Sequence, residues 1–303
     1  MASRPRHIGI VALRRSGTTT LWRAFRQDTR FRCYDEPFNP LLRRLPADHR
    51  KHVWGEFIEL FEADPKLFKA KYAPIPRAEE MARGMSLEQK TYLSFLTSAG
   101  PTVFDVTRCT GKIPELKQVV PDAVLVHLYR HPAAFVSSHL LPSDRLDLLG
   151  VRRLINRLTF FTRSSRFDGW GFEQLLRTGP VQTTQQLLAE VGVDLPPANE
   201  RVPASQRLLS VWLGAYRLAE REGPLHFGER FISLPFESLC SNPQSHLERI
   251  YTVAEVAPVS VDLSGIRPAT LGYRVSDPLW RTLAERAGFD EDELNRFFPG
   301  GSQ

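Results

Sequence analysis

Short, mostly apolar runs recur along the chain and are separated by longer segments with helical spacing. The first run is bounded by charged residues, and each run is four to seven residues long. The runs lie at 7–13, 31–34, 103–106, 123–129 and 231–234. Runs of this kind are typical of strands that are buried on both faces of a parallel sheet.

The segments between these runs show a different period. Apolar residues at i, i+3, i+4 and i+7 occupy 54–61, and a similar stripe occupies 208–218. Strands that alternate with helices predict an α/β domain with a central parallel sheet. Because the chain has no internal repeat and no low-complexity linker, we expect a single domain over 1–303. Residues 144–200 lack strand character, and we interpret them as a helical insertion or cap.

The composition places the chain among globular proteins. Hydrophobic residues make up 42% of the 303 residues and charged residues 24%. No apolar stretch approaches the roughly 20 residues that span a bilayer, and no signal-peptide pattern follows the first residues. The three cysteines, Cys33, Cys109 and Cys240, form neither a CxxC pair nor a ligand cluster. We therefore expect a cytoplasmic protein with no zinc site and no integral membrane association.

The charge balance favours anionic ligands without naming them. Lys and Arg number 40 against 34 for Asp and Glu, and the pI is about 9.4. Because the arginines are dispersed and form no single basic tract, we expect no nucleic-acid partner. Segment 151–163 has an apolar stripe opposite several arginines, which fits a membrane-surface helix or, more commonly, a cap with a solvated basic face.

Residues 13–21 join the end of the first predicted strand to the start of a helix. Such a junction binds anions, because backbone N–H groups and the positive end of the helix dipole face outward. Gly17 lets the backbone approach a ligand closely, and Arg15 adds a charge that can reach a bridging oxygen. Three neighbours supply hydroxyl donors: Ser16, Thr18 and Thr19. Taken alone, the segment also fits a plain helix N-cap with incidental threonines.

This loop is not a Walker A motif, because Arg14 and Arg15 stand where that motif requires Gly-Lys. It resembles the first phosphosulfate loop of sulfotransferases that use 3′-phosphoadenosine 5′-phosphosulfate (PAPS). That loop reads approximately Pro-(Lys/Arg)-Ser-Gly-Thr-Thr directly after the first strand. Arg15 falls at the Lys/Arg position, and Leu13 with Arg14 departs from the usual proline, which only shapes the turn.

A second segment strengthens the resemblance. Residues 124–132 end a strand in Arg130, and Ser138 follows eight residues later on the next predicted helix (138 − 130 = 8). The same family has an arginine and a serine at this spacing as ligands of the 3′-phosphate. Arg130 can hold a phosphate bidentately, and Ser138, two turns into the helix, can donate its hydroxyl to the same group. Taken separately, a surface ion pair and an exposed helix serine are the alternatives.

The resemblance implies a P-loop-NTPase-like three-layer fold with a central parallel sheet and helical insertions. It implies PAPS as sulfuryl donor, adenosine 3′,5′-bisphosphate as product, and a small-molecule, lipid or carbohydrate acceptor. We expect no metal, because the chain has no acidic Mg²⁺-binding pattern. The implied nucleotide ligands are Arg14, Arg15, Ser16, Gly17, Thr18, Thr19, Arg130 and Ser138. Arg15 is also expected to be catalytic, and neither the acceptor nor the oligomeric state follows from the sequence.

The catalytic base needs a separate argument. Many members of the family have a histidine after the third strand, but the matching stretch here, 106–110, contains none. Glu36, which precedes Pro37, resembles the glutamate-proline element of carbohydrate-type and some bacterial sulfotransferases. Its strand end would share a sheet edge with the phosphosulfate loop, and Pro37 predicts an extended backbone at Glu36. Asp35 and His139 are the alternative bases.

Two other classes of protein remain open at this stage. A P-loop kinase or NTPase shares the strand-loop-helix geometry, but it requires the missing Gly-Lys pair and a metal-binding aspartate at a strand end, where this chain places Arg130. A non-catalytic basic protein that binds a nucleotide or a membrane surface is the second alternative, and segment 151–163 is its main support.

Overall fold

The computed structural model describes residues 6–45, 51–140, 181–196, 200, 202–268 and 278–299. The described strands are β1 (Ile8–Val11), β2 (Arg32–Asp35), β3 (Thr102–Val106), β4 (Val124–Tyr129) and β5 (Phe231–Pro235). The described α-helices are α1 (Thr18–Phe25), α2 (Lys51–Ala63), α3 (Pro65–Lys71), α4 (Leu87–Thr97), α5 (Ile113–Val119), α6 (Pro132–Leu140), α7 (Val181–Ala189), α8 (Ala204–Phe227), α9 (Phe236–Ser241), α10 (Pro243–Val253), α11 (Leu279–Arg286) and α12 (Glu291–Phe297). Short 3₁₀ helices occupy Pro40–Arg44, Arg77–Glu79, Thr110–Lys112 and Gly228–Arg230.

The strands form one parallel sheet in the order β2-β3-β1-β4-β5. Every residue of β1, β3 and β4 is buried, as expected for strands that are covered on both faces. All five predicted apolar runs correspond to these strands within two residues at each end. The predicted α/β class, with its central parallel sheet and flanking helices, is confirmed.

The sheet order determines where ligands are expected. The chain leaves the carboxyl end of β1 toward α1 and β2, and β1 itself lies between β3 and β4. Ligands of open α/β sheets collect outside the carboxyl ends of the strands, at the point where the order reverses. This point is the end of β1, which is followed by the loop at 12–17.

The described residues fall into two compact units. One comprises 1–129 and 219–268 and contains the sheet, and the other comprises 130–218 and 269–303. In the first unit, Leu21, Trp22 and Phe25 of α1 are buried in a core that also includes side chains from β1 and β4. In the second unit, Trp212 of α8 stacks on Tyr216 with ring centroids 5.1 Å apart.

The expectation of a single domain over 1–303 stays a prediction. Most of 144–200 lies outside the described residues, although α7 falls within that range. The amphipathic segment 151–163 also lies outside them. In the part of the chain that the structure describes, no helix is long and apolar enough to cross a membrane.

Candidate active site

The loop between β1 and α1 makes a tight turn that presents Arg15 to solvent. The N–H of Ser16 donates to the carbonyl of Leu13 at 3.3 Å. Arg15 has φ 71° and Gly17 has φ 96°, so two residues of one short loop lie in the left-handed region. This region is uncommon for a residue with a Cβ, and functional loops are among the places where it persists. The result is an exposed arginine next to the start of a helix.

Gly17 is required at this position for two reasons. Its positive φ is a conformation that L side chains rarely adopt, and a Cβ there would lie 2.3 Å from the Phe236 ring. Gly17 is also the N-cap of α1 and offers no side-chain cap to the helix. The Thr20 N–H donates to the Gly17 carbonyl at 3.0 Å, but the N–H groups of Thr18 and Thr19 gain no side-chain partner from the capping residue, as is typical of anion-binding helix starts.

Arg14, which precedes Arg15, points toward another part of the first unit. Its guanidinium forms an ion pair with Glu80, a carboxylate that is 2% exposed. Arg108, just past β3, pairs with the same Glu80. Burial and then the neighbouring Arg14 charge lower the pKa of Arg108 to about 10. In this structure Arg14 thus anchors the loop to the segment that contains Glu80, and its predicted contact with nucleotide stays a prediction.

The two threonines that begin α1 face a pair of aspartates at the carboxyl ends of β2 and β3. The Thr18 hydroxyl lies near Asp105 and the Thr19 hydroxyl near Asp35, and each opposes the rise in the pKa of its carboxyl group. Asp35 and Asp105 are register partners of the neighbouring strands. The start of α1 therefore lies beside the sheet edge that carries the two aspartates. The predicted contacts of Thr18 and Thr19 with a nucleotide, and that of the buried Ser16, stay predictions.

Glu36 follows Asp35 and its carboxylate is held by two donors. Thr107 Oγ1 donates to Glu36 Oε1 at 2.9 Å, and Asn39 Nδ2 donates to Glu36 Oε2 at 2.8 Å. The backbone N–H of Glu36 donates to Asp105 Oδ1 at 2.5 Å. The residue is half-buried, so its carboxylate is fixed in direction while part of it remains open to solvent. This combination suits a group that must accept a proton from a bound molecule.

The predicted extended backbone at Glu36 is wrong. Its φ is 46°, in the left-handed region. The carbonyl of Glu36 accepts the N–H of Asn39 at 2.9 Å, and its own N–H is taken by Asp105. Two hydrogen bonds, one local and one from a residue 69 positions away, therefore override the local preference that Pro37 imposes.

The two aspartates at this edge are buried more deeply than Glu36. Burial and then the Glu36 charge raise the pKa of Asp35 to about 7, against an ordinary value of 3.8. Burial, followed by the charges of Asp35 and Glu36, also raises the pKa of Asp105 well above its ordinary value. Because two neighbouring buried carboxyl groups repel each other when both are ionised, the pair retains a proton to higher pH than an isolated aspartate does.

A raised pKa makes folding stability depend on pH. The carboxyl group of Asp35 has a pKa of about 7 in the folded state and 3.8 in the unfolded state. The stabilisation of the fold by the protonated carboxyl group is therefore complete below pH 3.8 and is lost as the pH rises through 7. We expect Asp35→Asn to stabilise the fold by about 2 kcal/mol or more at pH 8, and by little near pH 4. Denaturant melts at the two pH values measure this difference. An equal effect at both would contradict the assignment.

In the second unit, Arg130 and Ser138 lie where the sequence predicts them. Arg130 directly follows β4, and Ser138 is in α6, which begins at Pro132. Arg130 is 7% exposed, and its carbonyl accepts the indole N–H of Trp212 at 2.9 Å. Ser138 is half-buried and donates its hydroxyl to the carbonyl of Phe135 at 2.7 Å. Donation to a phosphate would require this hydroxyl to rotate away from the helix carbonyl.

The alternative bases differ in exposure. His139 is fully buried, and its ring lies edge-on to Phe135 with centroids 4.7 Å apart. Asp35 is 8% exposed. Of the three candidates, Glu36 is the most accessible to a bound acceptor. Among the described residues, no group of three His, Cys, Asp or Glu side chains has the arrangement of a metal site.

Comparison with known protein families finds a match in the first part of the chain. Residues 6–145 match the model of the sulfotransferase family, and this range contains the loop after β1, Glu36, Arg130 and Ser138. The match agrees with the resemblance that the sequence motifs show. No curated protein matches the chain significantly.

The chain is also similar to solved structures of sulfotransferases. The sulfotransferase domain of the Synechococcus PCC 7002 olefin synthase is 16% identical, with 95% of this chain and 96% of that chain covered and a TM-score of 0.47. Sulfotransferase STF9 from Mycobacterium avium is 14% identical, with 98% and 76% covered and a TM-score of 0.45. Sulfotransferase STF1 from Mycobacterium tuberculosis H37Rv is 12% identical, with 99% and 78% covered and a TM-score of 0.42.

Proposed function

We propose that this chain transfers a sulfuryl group from PAPS to a hydroxyl of a small-molecule, lipid or carbohydrate acceptor. The observation that carries the proposal is that the loop after β1 and Glu36 lie at one sheet edge. Asp105 accepts the backbone N–H of Glu36 at 2.5 Å, and the Thr18 hydroxyl at the start of α1 lies near the same carboxyl group. An anion site next to a base is what sulfuryl transfer to a hydroxyl requires.

The donor would bind through its charged groups. The exposed Arg15 and the first-turn N–H groups of α1 are suited to the 5′-phosphosulfate. Arg130 and Ser138 are assigned to the 3′-phosphate, which no ordinary 5′-nucleotide carries. The match to the sulfotransferase family supports both assignments, because the matched range includes Arg15, the start of α1, Arg130 and Ser138.

In the proposed reaction, the acceptor oxygen attacks sulfur in line with the bridging oxygen of the donor. A new sulfur–oxygen bond forms as the bond to the bridging oxygen breaks, and the acceptor proton passes to Glu36. The products are a sulfate ester and adenosine 3′,5′-bisphosphate. Arg15 stabilises the negative charge that grows on the departing phosphate.

Arg15→Ala should therefore affect turnover more than nucleotide affinity. We expect kcat to fall about 10²-fold and the affinity for adenosine 3′,5′-bisphosphate to fall less than tenfold, because charge on the leaving oxygen grows toward the transition state. The backbone penalty at φ 71° is similar for Arg and Ala, so the fold should be retained. Arg32→Ala, an exposed arginine at the amino end of β2, is the matched control. Equal losses of rate and affinity would make Arg15 a simple anchor.

The acceptor class is best found by direct screening. PAPS is incubated with the protein and pools of phenols, sugars, lipids and hydroxylated metabolites, and mass spectrometry detects gain of one SO₃ group by an acceptor. Each hit must produce adenosine 3′,5′-bisphosphate in equal amount. We also propose a cytoplasmic location, which is supported by the buried thiols of Cys33 and Cys109.

A further inference from the structure

Asp105, at the carboxyl end of β3, is a buried carboxyl group to which the proposed reaction assigns no role. Its side chain is fully buried, with 0% exposed. A charged residue is rarely found so deep in a sheet without a specific partner. Its hydrogen-bond partner here is the backbone N–H of Glu36, at 2.5 Å, and the hydroxyl of Thr18 lies nearby. The partner belongs to the proposed base, and the nearby hydroxyl belongs to the proposed donor loop.

The hydrogen bond from the Glu36 N–H to Asp105 matters because of the backbone conformation of Glu36. A glutamate at φ 46° is held in a conformation that it rarely adopts unless surrounding contacts impose it. The carboxylate end of the same residue is fixed by Asn39 and Thr107, so the contact with Asp105 fixes its other end. Without an acceptor for its N–H, Glu36 could relax to an extended backbone, which would turn its side chain away from its present direction.

We propose that Asp105 is a positioning residue that holds Glu36 in its reactive orientation. Asp105 touches neither substrate, and its effect on the reaction passes through the backbone of Glu36. The inference rests on the proposed function for its catalytic consequence, but the positioning itself can be measured without any substrate.

The test uses three substitutions at Asp105. Asp105→Asn keeps an oxygen that can accept the N–H of Glu36, whereas Asp105→Ala removes it. Asp105→Leu also removes the acceptor but fills most of the volume, which keeps the experiment informative if the alanine variant does not fold. Asp28→Ala is the matched control, because Asp28 is also buried and accepts a backbone N–H, from Arg30 at 3.1 Å, before β2 begins.

Hydrogen exchange is the first readout and requires no substrate. We expect the Glu36 amide to exchange about tenfold faster or more in Asp105→Ala and Asp105→Leu, and at nearly the parent rate in Asp105→Asn and Asp28→Ala. NMR or fragmentation mass spectrometry measures the exchange rate of this one amide separately from the rates of its neighbours. Unchanged exchange of this amide in both the alanine and leucine variants would overturn the proposal, whatever the activities are.

Turnover in a double-mutant cycle is the second readout. If Asp105 acts through Glu36, Asp105→Leu should lower kcat about 10²-fold in the parent but should cost little in a Glu36→Gln background. Asp105→Asn should recover most of the parent rate. If the losses of kcat in the two single variants multiply in the double variant, Asp105 does not act through Glu36, and the proposal is overturned. Faster exchange at Glu36 combined with normal turnover of Glu36→Gln would instead remove Glu36 as the base and leave the positioning intact.

Discussion

Glu36→Gln is expected to lower turnover by about 10² to 10⁴ while it leaves the fold and nucleotide binding unchanged, because a glutamine cannot accept the acceptor proton. The local contacts favour a clean substitution. The glutamine carbonyl can accept from Asn39, and its amide can donate to the hydroxyl of Thr107, which is able to rotate. Steady-state rates with PAPS and a confirmed acceptor measure the loss of turnover, and titration with adenosine 3′,5′-bisphosphate measures nucleotide binding.

A matched variant separates loss of the base from loss of charge. Glu79→Gln removes an exposed carboxylate from the same unit, and it should leave turnover within a few fold of the parent. Near-normal turnover of Glu36→Gln on the true acceptor would end the assignment of Glu36. Because His139 is fully buried, Asp35 would then be the next candidate to test.

Arg130→Ala is expected to weaken binding of adenosine 3′,5′-bisphosphate by about 2 kcal/mol or more, or roughly 30-fold, since it removes a bidentate contact to the 3′-phosphate. Arg130 is 7% exposed, so the lost contact is largely shielded from water. Its backbone stays fixed through the bond from Trp212 to its carbonyl, which limits the change to the side chain. Calorimetric titration of parent and variant measures the difference.

Two controls make this result specific. Binding of 5′-AMP, which lacks the 3′-phosphate, should be nearly the same for the parent and Arg130→Ala. Arg281→Ala removes an arginine of the same unit that pairs with the exposed Glu291, and it should leave the affinity unchanged. A loss of 5′-AMP affinity as large as the loss for the bisphosphate would show that Arg130 does not recognise the 3′-phosphate.

Much of the fold could be predicted because its signals are local. The apolar run before Arg14 is continuous, and Gly17 follows it at the point where the strand must turn into a helix. The same holds for the run that ends at Tyr129, after which Pro132 takes the first position of α6. At both places the apolar pattern correctly predicts which strand, loop or helix carries the residues of the candidate site.

The orientation of the base could not be predicted, since it depends on contacts between distant parts of the chain. Pro37 argues locally for an extended Glu36, but Asp105 and the turn to Asn39 impose the opposite sign of φ. The pairing of Arg14 with Glu80 likewise joins residues 66 positions apart. One signal was available in the sequence: Asp105 is a charged residue inside an otherwise apolar strand, a position that usually has a specific partner.

Thermal denaturation in the presence of three nucleotides tests the central claim most directly. At equal concentrations, adenosine 3′,5′-bisphosphate should raise the Tm well above the value with 5′-AMP or with ATP and Mg²⁺, because tighter binding to the folded state gives greater stabilisation. Only the bisphosphate carries the 3′-phosphate that Arg130 and Ser138 are assigned to bind. Equal shifts with the bisphosphate and 5′-AMP, or a larger shift with ATP and Mg²⁺, would contradict a PAPS-dependent sulfotransferase.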